Sequence, residues 1–459
     1  MFVFYDTETT GTIRDFDQIL QFAAILTDDD LAEVGRFDIR CRLLPWVVPA
    51  PMALKVTGIR PATLTDPSLP GFYDMMSRVR ARLEAWSPAR FIGYNTLRFD
   101  EPLLQRAFWQ TLHPPYLTVT NGNARMDLLS LVQAASYLAP GVLTYPQADS
   151  GKPGFRLDAL APLNGFAHDR AHDALGDVEA TIHIARLLKT RAPDLWNTAV
   201  RRAPKQETAR LLQPGTPVLV AEYFAGAASL WWGQRLDQNG GSGTNAVMAR
   251  LDTDWASLRT AGDEALRSAF AGSPRPLRDI GLNKAPIVYS EEEARGIWKM
   301  HPDDPCLKSS EALKGDPAFC ARLVTLKAQT EPAWPEAEHL EQKIFEAFPD
   351  RSDAGLMERF HTSDWPARAN LVRQFRDVRY RQLAQRIVYD GAPETLSGDD
   401  QKRVSKAISE RLFANHDDKT LWRSVAAARL ELETMESCEE TRLISAWLEA
   451  LAGQHLPES

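Results

Sequence analysis

The chain opens on Phe2-Val3-Phe4-Tyr5, a run of strand-forming apolar residues that leads directly into Asp6-Thr7-Glu8. This run heads about 195 residues in which strand-like and helix-like stretches alternate, and alternation of that kind builds an α/β layer fold. Asp6 and Glu8 therefore stand at a strand's end. Side chains along a strand alternate faces, so these two acids point the same way and can reach one divalent cation, while Thr7 points elsewhere. Converging carboxylates repel unless a cation neutralises them. Acids at strand ends are commonly just solvated, so the pair alone does not define a site. Gly11, after Thr9 and Thr10, lets the backbone turn sharply and approach a ligand closely.

Two further stretches carry groups of matching chemistry. Phe91 to Asn95 reads as a second buried strand, and Phe99 to Thr111 has helical apolar spacing, which puts Asp100 in a helix's first turn. An acid there also complements the helix dipole. From Ala174 onward Val178, Ile182, Ala185 and Leu188 recur at helical intervals, so Asp177 lies in an early turn with His172 just before it. Asp6, Glu8, Asp100 and Asp177 with His172 make four carboxylates and a histidine. That set suits two-metal phosphodiester chemistry.

The remainder divides by composition. A basic connector from Arg201 to Pro214, with Arg202, Lys205 and Arg210, closes on Gln-Pro-Gly. Short β-like runs follow at 218–224, 228–236, 246–251 and 285–289, the pattern of a small barrel. Trp231 and Trp232 are adjacent on one such run and face opposite sides, one toward the core and the other able to stack on a base or cover the barrel. From about residue 337 the periodicity is helical, including 338–347, 367–387 and 402–413. Arg368, Arg373, Arg376, Arg379, Arg381 and Arg386 are interleaved there with Phe375 and Tyr380. Arg373, Arg376 and Arg379 share a helical face, which is either a phosphate-binding surface or a solvated face balanced by Asp364 and Asp377. The net charge of −8 does not oppose a nucleic-acid substrate, because phosphate binding needs a local positive surface rather than a basic total. No run of about 18 apolar residues predicts a membrane span, and no signal peptide is evident. Cys41, Cys306, Cys320 and Cys438 are scattered without a C-x-x-C pair, and reduced thiols fit the cytoplasm.

The ordered set Asp6, Glu8, Asp100, His172 and Asp177 resembles the signature of the DEDDh 3′-to-5′ exonucleases, within the RNase H-like superfamily. Inside that group the chain is similar to the exonuclease I family. The stretches that carry the likeness are QFAAILTD (21–28), TGI (57–59), GYNTLRFDE (93–101), GFRLDALAPLNG (154–165), AHDALGDVEATI (171–182) and LLKTRAPDLW (187–196). Past the nuclease, GLNKAPIVY (281–289) and FEAFPDRSDAGLM (345–357) continue it. The resemblance implies an α/β chain with an RNase H-like exonuclease domain over 1–195, an SH3-like barrel with its connector over 196–336, and a C-terminal helical domain over 337–459.

It further implies degradation of single-stranded DNA to 5′-mononucleotides with two Mg²⁺ ions, for which Mn²⁺ substitutes, and roles in DNA repair and recombination. Asp6, Glu8 and Asp177 would hold the ion that activates water, Asp6 would bridge to the second, Asp100 would support the cluster, and His172 would take the proton. Thr7, Thr9, Leu54, Thr57, Ile59, Asn95 and Arg156 fall in stretches expected to contact the substrate. A monomer is expected, with the acidic tail of single-strand binding protein as a partner. That pocket does not transfer, because Tyr137-Leu138-Ala139-Pro140 lacks a cation to meet a carboxylate. Two alternatives stand beside this reading. One is a DEDDh enzyme that trims RNA or proofreads; the other is an inactive single-strand-binding scaffold.

Overall fold

The computed structural model describes residues 1–147, 151–167, 172–224, 226–237, 243–298, 300, 304–331, 335–415 and 420–454. The opening apolar run forms β1 (Phe2–Thr9), the middle strand of a five-stranded sheet in the order β3-β2-β1-β4-β5. Its partners are β2 (Ile19–Thr27), β3 (Glu33–Arg40), β4 (Arg90–Gly93) and β5 (Ala124–Asp127). β1 runs antiparallel to β2 and parallel to β4, with Asp6 opposite Ala23 and Glu8 opposite Gln21.

Both faces of β1 are covered. Phe2 and Phe4 pack with Val178, Ile182 and Ala185 of the helix Ala174–Arg191, whereas Val3 and Tyr5 pack with Met75, Val79 and Leu104 on the other side. Double coverage is why the strand is apolar at every position before Asp6 rather than alternating. Burying a phenylalanine as completely as Phe4 stabilises the fold by about 1.5–3 kcal/mol. At the head of the sheet, Gly93 ends β4 where a Cβ would lie 2.7 Å from the carbonyl oxygen of Tyr5, so the two parallel strands close only around a glycine.

A second, antiparallel five-stranded sheet follows in the order β10-β6-β7-β8-β9. Its strands are β6 (Pro217–Phe224), β7 (Ala227–Arg235), β8 (Asn245–Arg250), β9 (Leu277–Gly281) and β10 (Ile287–Ser290). β9 escapes the sequence pattern because Arg278 and Asp279 interrupt its two buried apolar positions, Leu277 and Ile280. Trp231 and Trp232 do face opposite sides of β7, yet both are buried, one among Val218, Val220 and Met248 and the other among Leu219, Leu251 and Trp255. Neither offers a face to a base. Of the two roles open to the second tryptophan, covering the barrel is the one it takes, because helices pack onto the second face of the sheet.

Helical structure also begins earlier than residue 337. Pro305–Lys314 and Pro317–Thr330 are helices, each capped by an aspartate, Asp304 and Asp316, with proline at the first position. The expected helix over 338–347 is a 3₁₀ turn, Leu340–Phe345. The expected helix over 367–387 is two helices, Trp365–Val372 and Val378–Gly391. The break comes from acids that prefer capping. Asp377 accepts from the backbone N–H of Arg379, and buried Asp353 accepts from the N–H groups of Arg376 and Asp377.

The shared arginine face consequently does not exist. Arg379 is buried on Asp377 and the carbonyls of Lys343 and Ala347, and Arg381 donates to the carbonyl of Phe375. Arg368 donates to the carbonyl of Phe360 and lies over Tyr73 and Trp365, while Arg386 pairs with Glu341 at 2.7 Å. Arg373, Arg376 and Arg381 are the exposed ones, and Arg373 pairs with Asp400 at 3.1 Å.

Candidate active site

Asp6, Glu8 and Asp177 converge above the end of β1, each offering a carboxylate oxygen within 4.8 Å of the others. The strand supplies the first two on its helix-facing side, and the first turn of Ala174–Arg191 supplies the third. Thr7 points the other way, and its hydroxyl donates to Asp100 Oδ1 at 2.5 Å. Asp100 sits in the first turn of the helix Asp100–Gln110, buried, and lies outside the close group of three.

The electrostatics of this cluster suit a cation. Burial, then Asp100, Asp177 and Glu8 in that order, push the Asp6 carboxyl well above the usual carboxylate range. Glu8 is pushed up to about 9, first by burial and then by Asp177, Asp100 and Asp173, with Arg40 opposing. Asp100 rises to about 7 because burial outweighs the hydrogen bond from Thr7. Each of these shifts penalises the charged carboxylate, and a bound cation would offset that penalty. The donor set is all oxygen from hard carboxylates, which fits Mg²⁺ or Mn²⁺.

His172 is half-buried and adopts a left-handed backbone, φ 64°. Non-glycine residues held in that region are uncommon and gather at functional sites. The residue after it, Asp173, was not singled out by sequence, and it organises this corner. Its side chain caps the helix by accepting from the N–H of Gly176, and it also receives Arg40 at 2.7 Å and Gln21 at 3.3 Å. The sequence signal was an aspartate just before a helical run. Asp127 was missed in the same way. At the end of β5 it caps the following helix through Leu129 and accepts from the N–H groups of Asn95 and Leu97.

The remaining expected contacts are distributed unevenly. Leu54 and Ile59 are buried in the apolar core, which leaves them little surface for a nucleotide. The Thr9 hydroxyl donates to the carbonyl of Gly11, and that of Thr57 accepts from the N–H of Ile59. Arg156 has a side chain 78% exposed and paired with Asp158. Hydrogen bonding to Arg156 is foremost among the influences that hold the Asp158 carboxyl below its usual range, and His172 adds a smaller lowering. Asn95 is exposed, with φ 65°, and lines a groove of about 600 Å³ shared with Arg98, Gln133, Arg278 and Lys284. Gly11 does not face a ligand. A Cβ there would lie 2.6 Å from Asp17 Oδ2, whose carboxylate closes the turn through Thr10 and Ile13.

Residues 3–185 match the family described as Exonuclease, and with this fold and these carboxylates they form an exonuclease domain. The chain is 27% identical over 436 residues to exodeoxyribonuclease I of Escherichia coli K12, covering 88% of each chain. It is 30% identical over 292 residues to exodeoxyribonuclease I of Haemophilus influenzae Rd, covering 62% of this chain and 61% of that one. The crystal structure of E. coli exonuclease I in complex with a dA16 oligonucleotide superposes with a TM-score of 0.84 at 25% identity, covering 99% of both chains. The chain is a homologue of exodeoxyribonuclease I.

Proposed function

We propose that this protein is a divalent-metal-dependent 3′-to-5′ exodeoxyribonuclease that removes 5′-mononucleotides from single-stranded DNA. The observation that carries the reading is the buried convergence of Asp6, Glu8 and Asp177, whose oxygens lie within 4.8 Å of one another. Relatives named exodeoxyribonuclease I, and a related structure holding a DNA oligonucleotide, support the choice of substrate.

Asp6, Glu8 and Asp177 would hold the metal, with Mg²⁺ the natural ion and Mn²⁺ a substitute. Asp100, fixed by Thr7, completes the negative field from the opposite side of β1. Bound divalent cations would supply Lewis acidity, stabilising charge on the phosphate oxygens and making the attacking water more acidic. His172, two residues ahead of the helix that carries Asp177, would take the proton from that water, the part a general base plays. The groove beside Asn95 is lined by Arg98, Arg278 and Lys284 and also by Asp127, Glu222 and Asp279, with Arg278 paired to Glu222, so Arg98 and Lys284 are the cations that would meet the phosphates of a single strand. We further infer a cytoplasmic monomer that meets the acidic tail of single-strand binding protein. Among the described residues no helix is long and apolar enough to cross a membrane.

The test uses strands labelled at either end, as single-stranded DNA, duplex DNA and RNA, incubated with Mg²⁺ or with EDTA. Mononucleotides released only from the 3′ end of single-stranded DNA, and only with Mg²⁺, are expected. Preferential digestion of RNA, or release unaffected by EDTA, would overturn the proposal.

A further inference from the structure

Next to the carboxylate cluster lies a second acid that takes no part in it. Glu101 is 2% exposed, and its carboxylate is saturated with donors. Tyr5 donates to Oε2 at 2.8 Å, while Oε1 accepts from Thr118 at 2.5 Å, Arg125 at 2.8 Å and Gln105 at 2.9 Å. Tyr5 immediately precedes Asp6, and Glu101 immediately follows Asp100. The Tyr5–Glu101 and Thr7–Asp100 hydrogen bonds thus pin β1 to the Asp100 helix at two positions on one face of the strand. With Tyr5 and Thr7 held there, Asp6 and Glu8 are turned to the other face, where Asp177 waits.

Arg125 completes the arrangement from outside. It stands on β5 with a side chain 9% exposed, pairs with Glu101, and extends Nη2 to the carbonyl of Asn283 at 3.4 Å. Asn283 belongs to the turn between β9 and β10, beside Lys284 of the groove that Asn95 lines. A buried carboxylate is costly to leave unpaired, so the ion pair with Arg125 fixes the position of Glu101. From this we infer that Glu101 and Arg125 are positioning residues for the metal-holding carboxylates, forming a strut from the second sheet's turn through Arg125 and Glu101 to Asp6 and Asp100. The inference rests on the proposed nuclease reading.

The test compares Arg125→Gln, Arg125→Lys, Tyr5→Phe and the double variant Glu101→Gln/Arg125→Gln. Calorimetric Mn²⁺ binding without DNA, single-strand binding in EDTA, kcat and KM, and Tm are measured for each. Arg125→Gln is expected to weaken Mn²⁺ binding at least about fivefold and lower kcat at least about tenfold, with KM and single-strand affinity within about twofold. Tyr5→Phe should shift the same quantities in the same direction by less. Arg125→Lys, which keeps a charge for Glu101, should recover most of the Mn²⁺ affinity. Should Arg125→Gln fail to fold, the double variant, which buries no unpaired charge, serves in its place with the same expected losses. A folded variant with a lowered Tm but parental Mn²⁺ affinity and kcat would make the network merely structural and overturn the inference. If the parent itself neither binds Mn²⁺ nor digests DNA, the nuclease reading fails instead.

Discussion

At the scale of single residues, the carboxylate cluster makes the sharpest claims. Asp6→Ala and Asp177→Ala are expected to lower Mg²⁺-dependent release at least about a thousandfold while single-strand binding in EDTA persists; mutant digestion at the parental rate would place the metal elsewhere. His172→Ala should cost at least about a hundredfold in kcat, the usual scale of a general base. Metal binding should also move protons. Glu8 is raised to about 9 in the metal-free cluster, so at pH 8 it is mostly protonated and must release its proton to ligate. Mn²⁺ affinity should therefore rise with pH between about 7 and 9. Titrations in buffers of different ionisation enthalpy read the proton directly, and a buffer-independent heat at pH 8 would contradict the assignment. These residues were legible in the sequence because strand periodicity dictates which side chains share a face. Glu101 and Arg125 were not, since they act through partners far away in the chain, Tyr5 and Asn283, and of Asp173 only the cap was legible, its partner Arg40 being equally distant.

At the scale of elements, capping and stacking decide matters that apolar spacing does not. Asp173→Ala should destabilise the protein by about 1 kcal/mol through loss of the cap, and should loosen His172 beside it. A chemical denaturation midpoint and kcat together report this. A second element-level device joins the nuclease to the helical region. His113 and His361 stack with ring centroids 3.9 Å apart, and Tyr73 stacks on both. His361 donates from Nε2 to the carbonyl of Leu112 at 3.1 Å and accepts at Nδ1 from the Tyr73 hydroxyl at 2.9 Å, which requires a neutral ring. Burial chiefly, helped by His361 and Arg80, pushes His113 down to about 2. Burial also lowers His361 from its usual 6.5. The folded form resists protons that the unfolded chain binds, so this contribution is complete above about pH 6.5 and declines as pH falls toward 2. His113→Phe should flatten the loss of stability between pH 6.5 and 4 in urea titrations; an unchanged slope would remove the pair from that role. The long arginine-bearing helix failed at this scale too. Apolar spacing continues smoothly through 367–387, but Asp353 and Asp377 take the backbone N–H groups that a continuous helix would use.

At the scale of the whole molecule, the helical region is not an appendage. Ile408, Leu412, Val425, Ala428, Ile444 and Leu448 share one core with Leu54, Ile59 and Leu64 of the nuclease, and Phe360, Phe375 and Ile387 share another with Tyr73, Trp109 and Leu112. A chain truncated after residue 336 should therefore expose apolar nuclease surface. It is expected to bind a hydrophobic dye and to melt at least about 10 °C lower, whereas a truncated protein with the parental Tm would show the cores to be separable. The sequence by itself determined the alternating α/β half, the strand that ends in Asp6 and Glu8, the helices that carry Asp100 and Asp177, and the β-rich and helical order of the remainder. These follow from periodicity and local propensity, which neighbouring residues express. Only the tertiary structure decided that Trp231 and Trp232 are both core, that most of the arginine run is spent on the protein's own carbonyls and acids, and that Thr7 and Tyr5 anchor the strand whose opposite face presents the cluster. Each of those outcomes depends on which distant side chain or carbonyl arrives to cover a surface or accept a proton, and that information lies in the packing rather than in the spacing along the chain.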